Sequence, residues 1–128
     1  MFREYAGFGA WHGNENDCLR LTLHRPYNNI NKETKDRPKK PLIVWIHGGS
    51  YNWGAGNGQS LLEGNHYIYE PAALVHYGDI IFAALNYRMN SFGGFDTNDM
   101  AGSPGPKGNF YLKDCLFAIN WLIENSEN

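Results

Sequence analysis

The chain has 128 residues, 11 basic against 13 acidic side chains for a formal charge of −2, and 15% aromatic residues. That length suits one domain or a piece of a larger one. Near-balanced charge excludes a general attraction to nucleic acid or anionic lipid, the apolar content excludes a disordered chain, and no apolar run is long enough to span a bilayer. The opening Met1-Phe-Arg-Glu-Tyr-Ala-Gly7 lacks the apolar core of a secretory signal. In a complete gene product that points to an intracellular protein; in a fragment it says nothing, and the compartment stays unassigned.

Residues 1–17 are rich in Gly, Asn and aromatics and read as irregular. Leu19-Arg-Leu-Thr-Leu-His24 alternates apolar and polar, the pattern of a half-exposed strand. A solvated loop follows, with Pro26, three asparagines and a Lys/Arg cluster ending at Lys39-Lys40. Glu33 and Asp36 interrupt that cluster and no aromatics are interleaved, so a solvated face is preferred over a phosphate-binding patch. Leu42-Ile-Val-Trp-Ile-His47 is a continuous apolar run ending in His47-Gly48-Gly49, a strand expected to be buried on both faces. The two glycines permit a tight turn and a close approach of backbone to a ligand.

A Gly/Ser/Asn-rich loop leads to Pro71-Ala-Ala-Leu-Val-His-Tyr77, a short helix with Pro in its first turn and Gly78 at its stop. Asp79-Ile-Ile-Phe-Ala-Ala-Leu-Asn86 is a second buried strand. The spacing predicts a loop from 90 to 106. It then predicts a helix whose apolar stripe is Leu112, Cys115, Leu116, Ile119, Leu122 and Ile123, with Asn109 as N-cap and Asp114 near the positive end of the dipole. Buried strands alternating with helices indicate an α/β class: a mostly parallel sheet with helices on both faces. If the sheet is only partly built in these residues, it leaves an apolar edge and an apolar helix stripe uncovered.

Two cysteines, Cys18 and Cys115, give no disulfide framework and read as unpaired thiols. None of the five histidines has metal-ligand spacing, and Gln59 stands where Gly54-Ala-Gly56-Asn-Gly58 needs a glycine to make a dinucleotide fingerprint. No metal or cofactor is expected. No serine fits a Gly-x-Ser-x-Gly elbow; the relaxed version at Gly102-Ser103-Pro-Gly105 sits among prolines in a loop rather than between a strand and a helix.

Five segments, in order, carry a family resemblance: Asp17-Cys18-Leu19-Arg-Leu21, Pro41-Leu-Ile-Val-Trp-Ile-His47-Gly48-Gly49, Asp79-Ile-Ile-Phe-Ala-Ala-Leu-Asn86-Tyr87-Arg88, Gly108-Asn109-Phe-Tyr-Leu112-Lys-Asp114 and Ala118-Ile-Asn-Trp121-Leu-Ile-Glu124-Asn125. Together they make the chain resemble the N-terminal part of type-B carboxylesterases, the cholinesterase-like branch of the α/β-hydrolases. The resemblance implies that residues 1–128 are an N-terminal fragment of such a domain. It implies an oxyanion hole shaped by Gly48, Gly49 and Ser50, whose backbone N–H groups face a developing negative charge. The nucleophile elbow, acid and histidine of the family would follow later in the sequence, so these residues alone are expected to be inactive. The parent's partner would be a small carboxylic ester. Trp11 is similar to the tryptophan that stacks on choline in cholinesterases.

Four departures qualify the resemblance. Ser50 replaces the family's usual third glycine, which is tolerable only if its backbone angles suit a residue with a Cβ. Cys18 has no upstream cysteine to pair with, Cys115 stands where Gln is common, and Gly93-Gly94 carries an extra residue. The stretch from His47-Gly-Gly-Ser50-Tyr51 to Gly54-x-Gly56-Asn57 also resembles neuroligins, the non-catalytic adhesion relatives, which implies a possible protein partner.

Overall fold

The computed structural model describes residues 18–27, 38–56, 69–97, 105 and 107–126. Three strands form one sheet: β1 (Leu21–His24), β2 (Leu42–Ile46) and β3 (Ile81–Leu85), in the order β1-β3-β2. The helices are α1 (Ala72–Gly78), α2 (Asn90–Gly94) and α3 (Phe110–Glu124).

The two apolar runs pair in parallel, with Leu42 opposite Ile81 and Ile46 opposite Leu85. Parallel neighbours need a crossover, and α1 supplies it. Alongside the parallel pair, β1 runs antiparallel to β3, with Leu21 opposite Leu85 and His24 opposite Phe82. The central position of β3 explains its run of small and apolar residues. Phe82, Ala83, Ala84 and Leu85 are all buried. Alternation sends Phe82 and Ala84 to one face, where they meet Val75 of α1 and Trp45. Leu85 goes to the other face, where it meets Tyr87, Cys115, Leu21, Val44 and Ala118. Helices therefore cover both faces, as a parallel pair requires.

The expectation that β2 is buried on both faces fails. Leu42, Ile43 and Ile46 are 38%, 40% and 45% exposed. The cause is position: β2 pairs with β3 on one side only in this sheet, so its other edge has no strand against it among the described residues. The α3 stripe is likewise only half covered. Cys115 and Leu122 are buried, whereas Leu112, Leu116 and Ile123 are exposed. The seam that touches the sheet runs through Tyr111, Cys115 and Ala118 instead.

Two local expectations also shift. The left-handed residue after α1 is Asp79 (φ 49°), one position beyond Gly78, which closes the helix itself. Residues 90–94, read as loop, form the short helix α2; its two glycines hid it, because glycine weakens the helix signal. Asn109 does precede α3, but in a left-handed conformation and with no side-chain cap bond. Its Oδ1 accepts from the Tyr111 hydroxyl instead. Cys18 and Cys115 are not joined by a disulfide. The Cys115 thiol is pushed up by burial and by the neighbouring Asp114 charge, so it stays protonated at neutral pH. No helix of the described residues is long and apolar enough to cross a membrane.

Candidate functional site

Parallel pairing puts the carboxyl ends of β2 and β3 at the same sheet edge, the edge where open α/β sheets build their sites. With Ile46 opposite Leu85, the turn from His47 emerges beside the segment from Asn86. That segment holds the turn at several points. The Tyr87 hydroxyl donates to the His47 carbonyl at 2.7 Å, and the two rings stack with centroids 4.5 Å apart. Asn86 Oδ1 accepts from the Gly56 N–H at 2.7 Å. The N–H of Asn90 donates to the Tyr51 carbonyl at 2.7 Å, and its Nδ2 donates to the Asn52 carbonyl at 3.0 Å. Tyr51 also leans on Tyr111 of α3, with centroids 4.7 Å apart.

The turn itself closes on the Gly49 carbonyl, which accepts from Asn52 N–H at 2.9 Å and from Trp53 N–H at 3.2 Å. Its two central residues, Ser50 and Tyr51, have φ of 53° and 59°. Positive φ at both central positions is the mark of a type I′ turn. Gly suits such positions; a residue with a Cβ pays about 1–2 kcal/mol for each. The condition set by Ser50 is thus met at a cost: the angles are ones a Cβ residue reaches, under strain. Gly49 has φ 130°, and a Cβ there would lie 1.7 Å from the Trp53 carbonyl oxygen. Gly48 has open space around it.

The turn takes its own donors from Asn52 and Trp53, so the N–H groups of Gly49 and Ser50 stand outside its closing bonds. Gly48 and Ser50 are exposed and Gly49 is half-buried. Consecutive backbone N–H groups in such a turn form a concavity that attracts negative charge. Of the candidate site residues, Gly48, Gly49 and Ser50 are therefore placed together, and Trp11 lies outside the described residues, as does Ser103.

His47 is 3% exposed. Its Nδ1 sits 2.8 Å from the Gly48 carbonyl, so the ring carries its proton there and donates to that oxygen. Nε2 has no hydrogen-bond partner among the described residues. Burial pulls the imidazole below its ordinary 6.5, against the opposing effect of the Gly48 bond, and the ring is neutral. Gly54 makes this packing possible, since a Cβ there would lie 2.3 Å from His47 Nδ1. The Tyr87 phenol is held above its ordinary 10.0 by burial, then by Cys115 and Tyr51, so it keeps its proton and its bond to His47.

A pH dependence follows. The unfolded chain protonates His47 near 6.5 while the folded chain resists, so below that pH the unfolded state binds more protons. The stability linked to this residue is complete above about 6.5, falls as pH drops through that value, and levels off below the folded pKa. Urea midpoints measured from pH 8 to pH 5 on the full product of the reading frame should fall on the acid side. His47→Gln should flatten that limb; an unchanged acid limb in the variant would contradict the assignment.

Arg88 was not anticipated as a structural centre. Its guanidinium grips Asp114 with Nε at 2.8 Å and Nη2 at 2.6 Å, and its own N–H donates to the same carboxylate at 3.0 Å. The guanidinium also lies 4.9 Å from the centre of the Phe110 ring. Two polar signals were available in the sequence: the Asn86-Tyr-Arg88 run at the end of a buried strand, and an acidic residue on the sheet-facing side of a helix.

A βαβ unit with helices on both faces is part of an α/β domain, and the comparisons give the α/β-hydrolase fold. A Carboxylesterase family model matches residues 3–128. The chain belongs to that family. It is 34% identical over 123 residues to neuroligin-2 of Rattus norvegicus, covering 85% of this chain and 13% of that protein. It is 33% identical over 135 residues to acetylcholinesterase of Leptinotarsa decemlineata, covering 98% and 20%. Among solved structures, a Geobacillus stearothermophilus carboxylesterase superimposes with a TM-score of 0.67 at 28% identity, covering 87% of this chain and 21% of that one. The chain thus spans about a fifth or less of the length of these relatives.

Proposed function

We propose that residues 1–128 are the N-terminal part of a carboxylesterase type-B domain, and that Gly48, Gly49 and Ser50 shape the oxyanion hole of a serine esterase. The observation that carries this reading is the strand-end turn that keeps the Gly49 and Ser50 N–H groups outside its closing bonds. In the parent, a serine outside these residues attacks the ester carbonyl and a histidine relays its proton. The two N–H groups receive the oxyanion, each donor of this kind being worth about 2.7–4 kcal/mol of transition-state stabilisation. The neutral His47 takes no part in proton transfer; it packs under the turn and fixes its entry. The substrate is a small carboxylic ester, and these 128 residues alone do not turn it over.

The second reading is an adhesion protein of the neuroligin type. Ser50 in place of a third glycine and the neuroligin-2 match favour it. Reading the transcript past codon 128 separates the two. The esterase reading expects a Gly-x-Ser-x-Gly elbow, p-nitrophenyl acetate hydrolysis by the full product, and its loss when the elbow serine becomes alanine. A non-nucleophile at the elbow, with no turnover, supports adhesion. Turnover by the 128 residues alone, lost on Ser103→Ala, would overturn the assignment of the nucleophile to later sequence.

A further inference from the structure

We propose that Asn90 is a positioning residue for the oxyanion turn: it holds the strained Ser50-Tyr51 pair in the left-handed conformation that leaves the Gly49 and Ser50 N–H groups outside the turn's closing bonds. The inference rests on reading this turn as an oxyanion hole. Ser50 and Tyr51 both carry a Cβ at positive φ, so the turn does not keep its shape by local preference. Strain of this kind persists where the surroundings over-determine it. Asn90 supplies the surrounding constraint. It grips two consecutive carbonyls, Tyr51 through its backbone N–H and Asn52 through its side-chain amide. Those carbonyls belong to the two peptide units whose N–H groups, those of Asn52 and Trp53, close the turn on the Gly49 carbonyl.

Asparagine fits this place for two separate reasons. Its own φ is 54°, a conformation asparagine tolerates better than most residues with a Cβ. Its amide also supplies a donor to the Asn52 carbonyl. Glycine meets the first requirement and fails the second. Aspartate tolerates the angle but presents an acceptor to a carbonyl. The clamp is anchored on both sides. Arg88, two residues earlier, is tied to Asp114 of α3. After Asn90, α2 is closed by Gly93 N–H to the Met89 carbonyl at 3.1 Å and by Phe95 N–H to the Ser91 carbonyl at 2.8 Å. The turn is thereby referred to the helix layer rather than left to its own flexibility.

The test uses the full product of the reading frame, with Asn90→Gly and Asn90→Asp, each alone and combined with Ser50→Gly. Hydrogen exchange of the Asn52 and Trp53 amides reports turn opening without requiring catalysis. Losing one hydrogen bond should speed that exchange by about fivefold in Asn90→Gly, and by more in Asn90→Asp, with α3 amides unchanged. With p-nitrophenyl acetate, kcat should fall while KM stays within about twofold, the signature of an interaction felt in the transition state. Ser50→Gly, which relieves the strain that the clamp resists, should restore both readouts in Asn90→Gly. Unchanged exchange, equal acceleration in α3, or strictly additive effects of the two substitutions would overturn the proposal. An inactive wild-type product would remove the esterase reading, and the exchange data would still decide the clamp.

Discussion

Gly49→Ala is expected to collapse the strand-end turn, whereas Gly48→Ala, one residue earlier, is expected to leave it standing. The two glycines look interchangeable in the sequence. In the structure a Cβ on Gly49 falls 1.7 Å from the Trp53 carbonyl oxygen and 2.7 Å from its carbon, both backbone atoms. No rotamer change relieves that overlap. The φ of 130° adds a second penalty that is independent of space. Relief requires opening the turn, which breaks the bonds from Asn52 and Trp53 to the Gly49 carbonyl. The expected cost is about 3 kcal/mol or more, in the class of backbone-incompatible substitutions. A Cβ on Gly48 meets nothing within 4 Å, and its cost should stay within about 0.5 kcal/mol. Urea denaturation of the full product gives the stability of each variant. If the turn is the oxyanion hole, ester turnover in Gly49→Ala drops by about 10²–10³, the effect of losing one donor, and Gly48→Ala keeps most of its rate. Equal behaviour of the two alanine variants would sink this account of the turn.

The contrast shows what a sequence holds and what it does not. The apolar run before Asn86 announces a buried strand because all of its side chains face packed layers, and β3 is indeed central. The run before His47 has the same composition but sits at the edge of the described sheet, since strand order is not written in the run itself. His47-Gly-Gly-Ser50 was legible as a turn with backbone donors. Which glycine is obligatory was not, because that depends on where the Trp53 carbonyl lands. The partners of the turn were hidden for a related reason. Asn86, Tyr87 and Asn90 reach it only through the Ile46–Leu85 register, a contact about forty residues apart in sequence that no local pattern encodes. Asp114 was legible as an acidic residue early in a helix, and the dipole argument assigned it a weak role. Its bond to Arg88 is the stronger one.

That bond sets the largest expected stability effect away from the turn. Arg88→Ala should destabilise the full product by about 3 kcal/mol, because the Asp114 carboxylate is left largely buried without the guanidinium that neutralises it. The Asp114 side chain is 9% exposed and that of Arg88 is 21% exposed, so water and salt reach the pair poorly. Alanine keeps the backbone N–H to Asp114 Oδ2, so one of the three hydrogen bonds survives and the carboxylate retains some support. Arg88→Lys should recover about half of the loss. It restores the charge, but one ammonium cannot reproduce the fork of Nε and Nη2, and the planar contact with Phe110 is lost. The double variant Arg88→Met with Asp114→Leu should cost less than either Arg88→Ala or Asp114→Ala, since removing both charges removes the desolvation cost as well. Denaturation midpoints at low and high salt check the series. A loss in Arg88→Ala that vanishes in salt, or a double variant worse than both single ones, would show a surface pair rather than a buried one. Because Tyr87 and Asn90 flank Arg88 and hold the His47 and Tyr51 carbonyls, loosening this pair also loosens the two grips on the turn. Its substitution should therefore raise hydrogen exchange at 47–56 before the sheet opens, which ties the α3 layer to the turn at the strand ends.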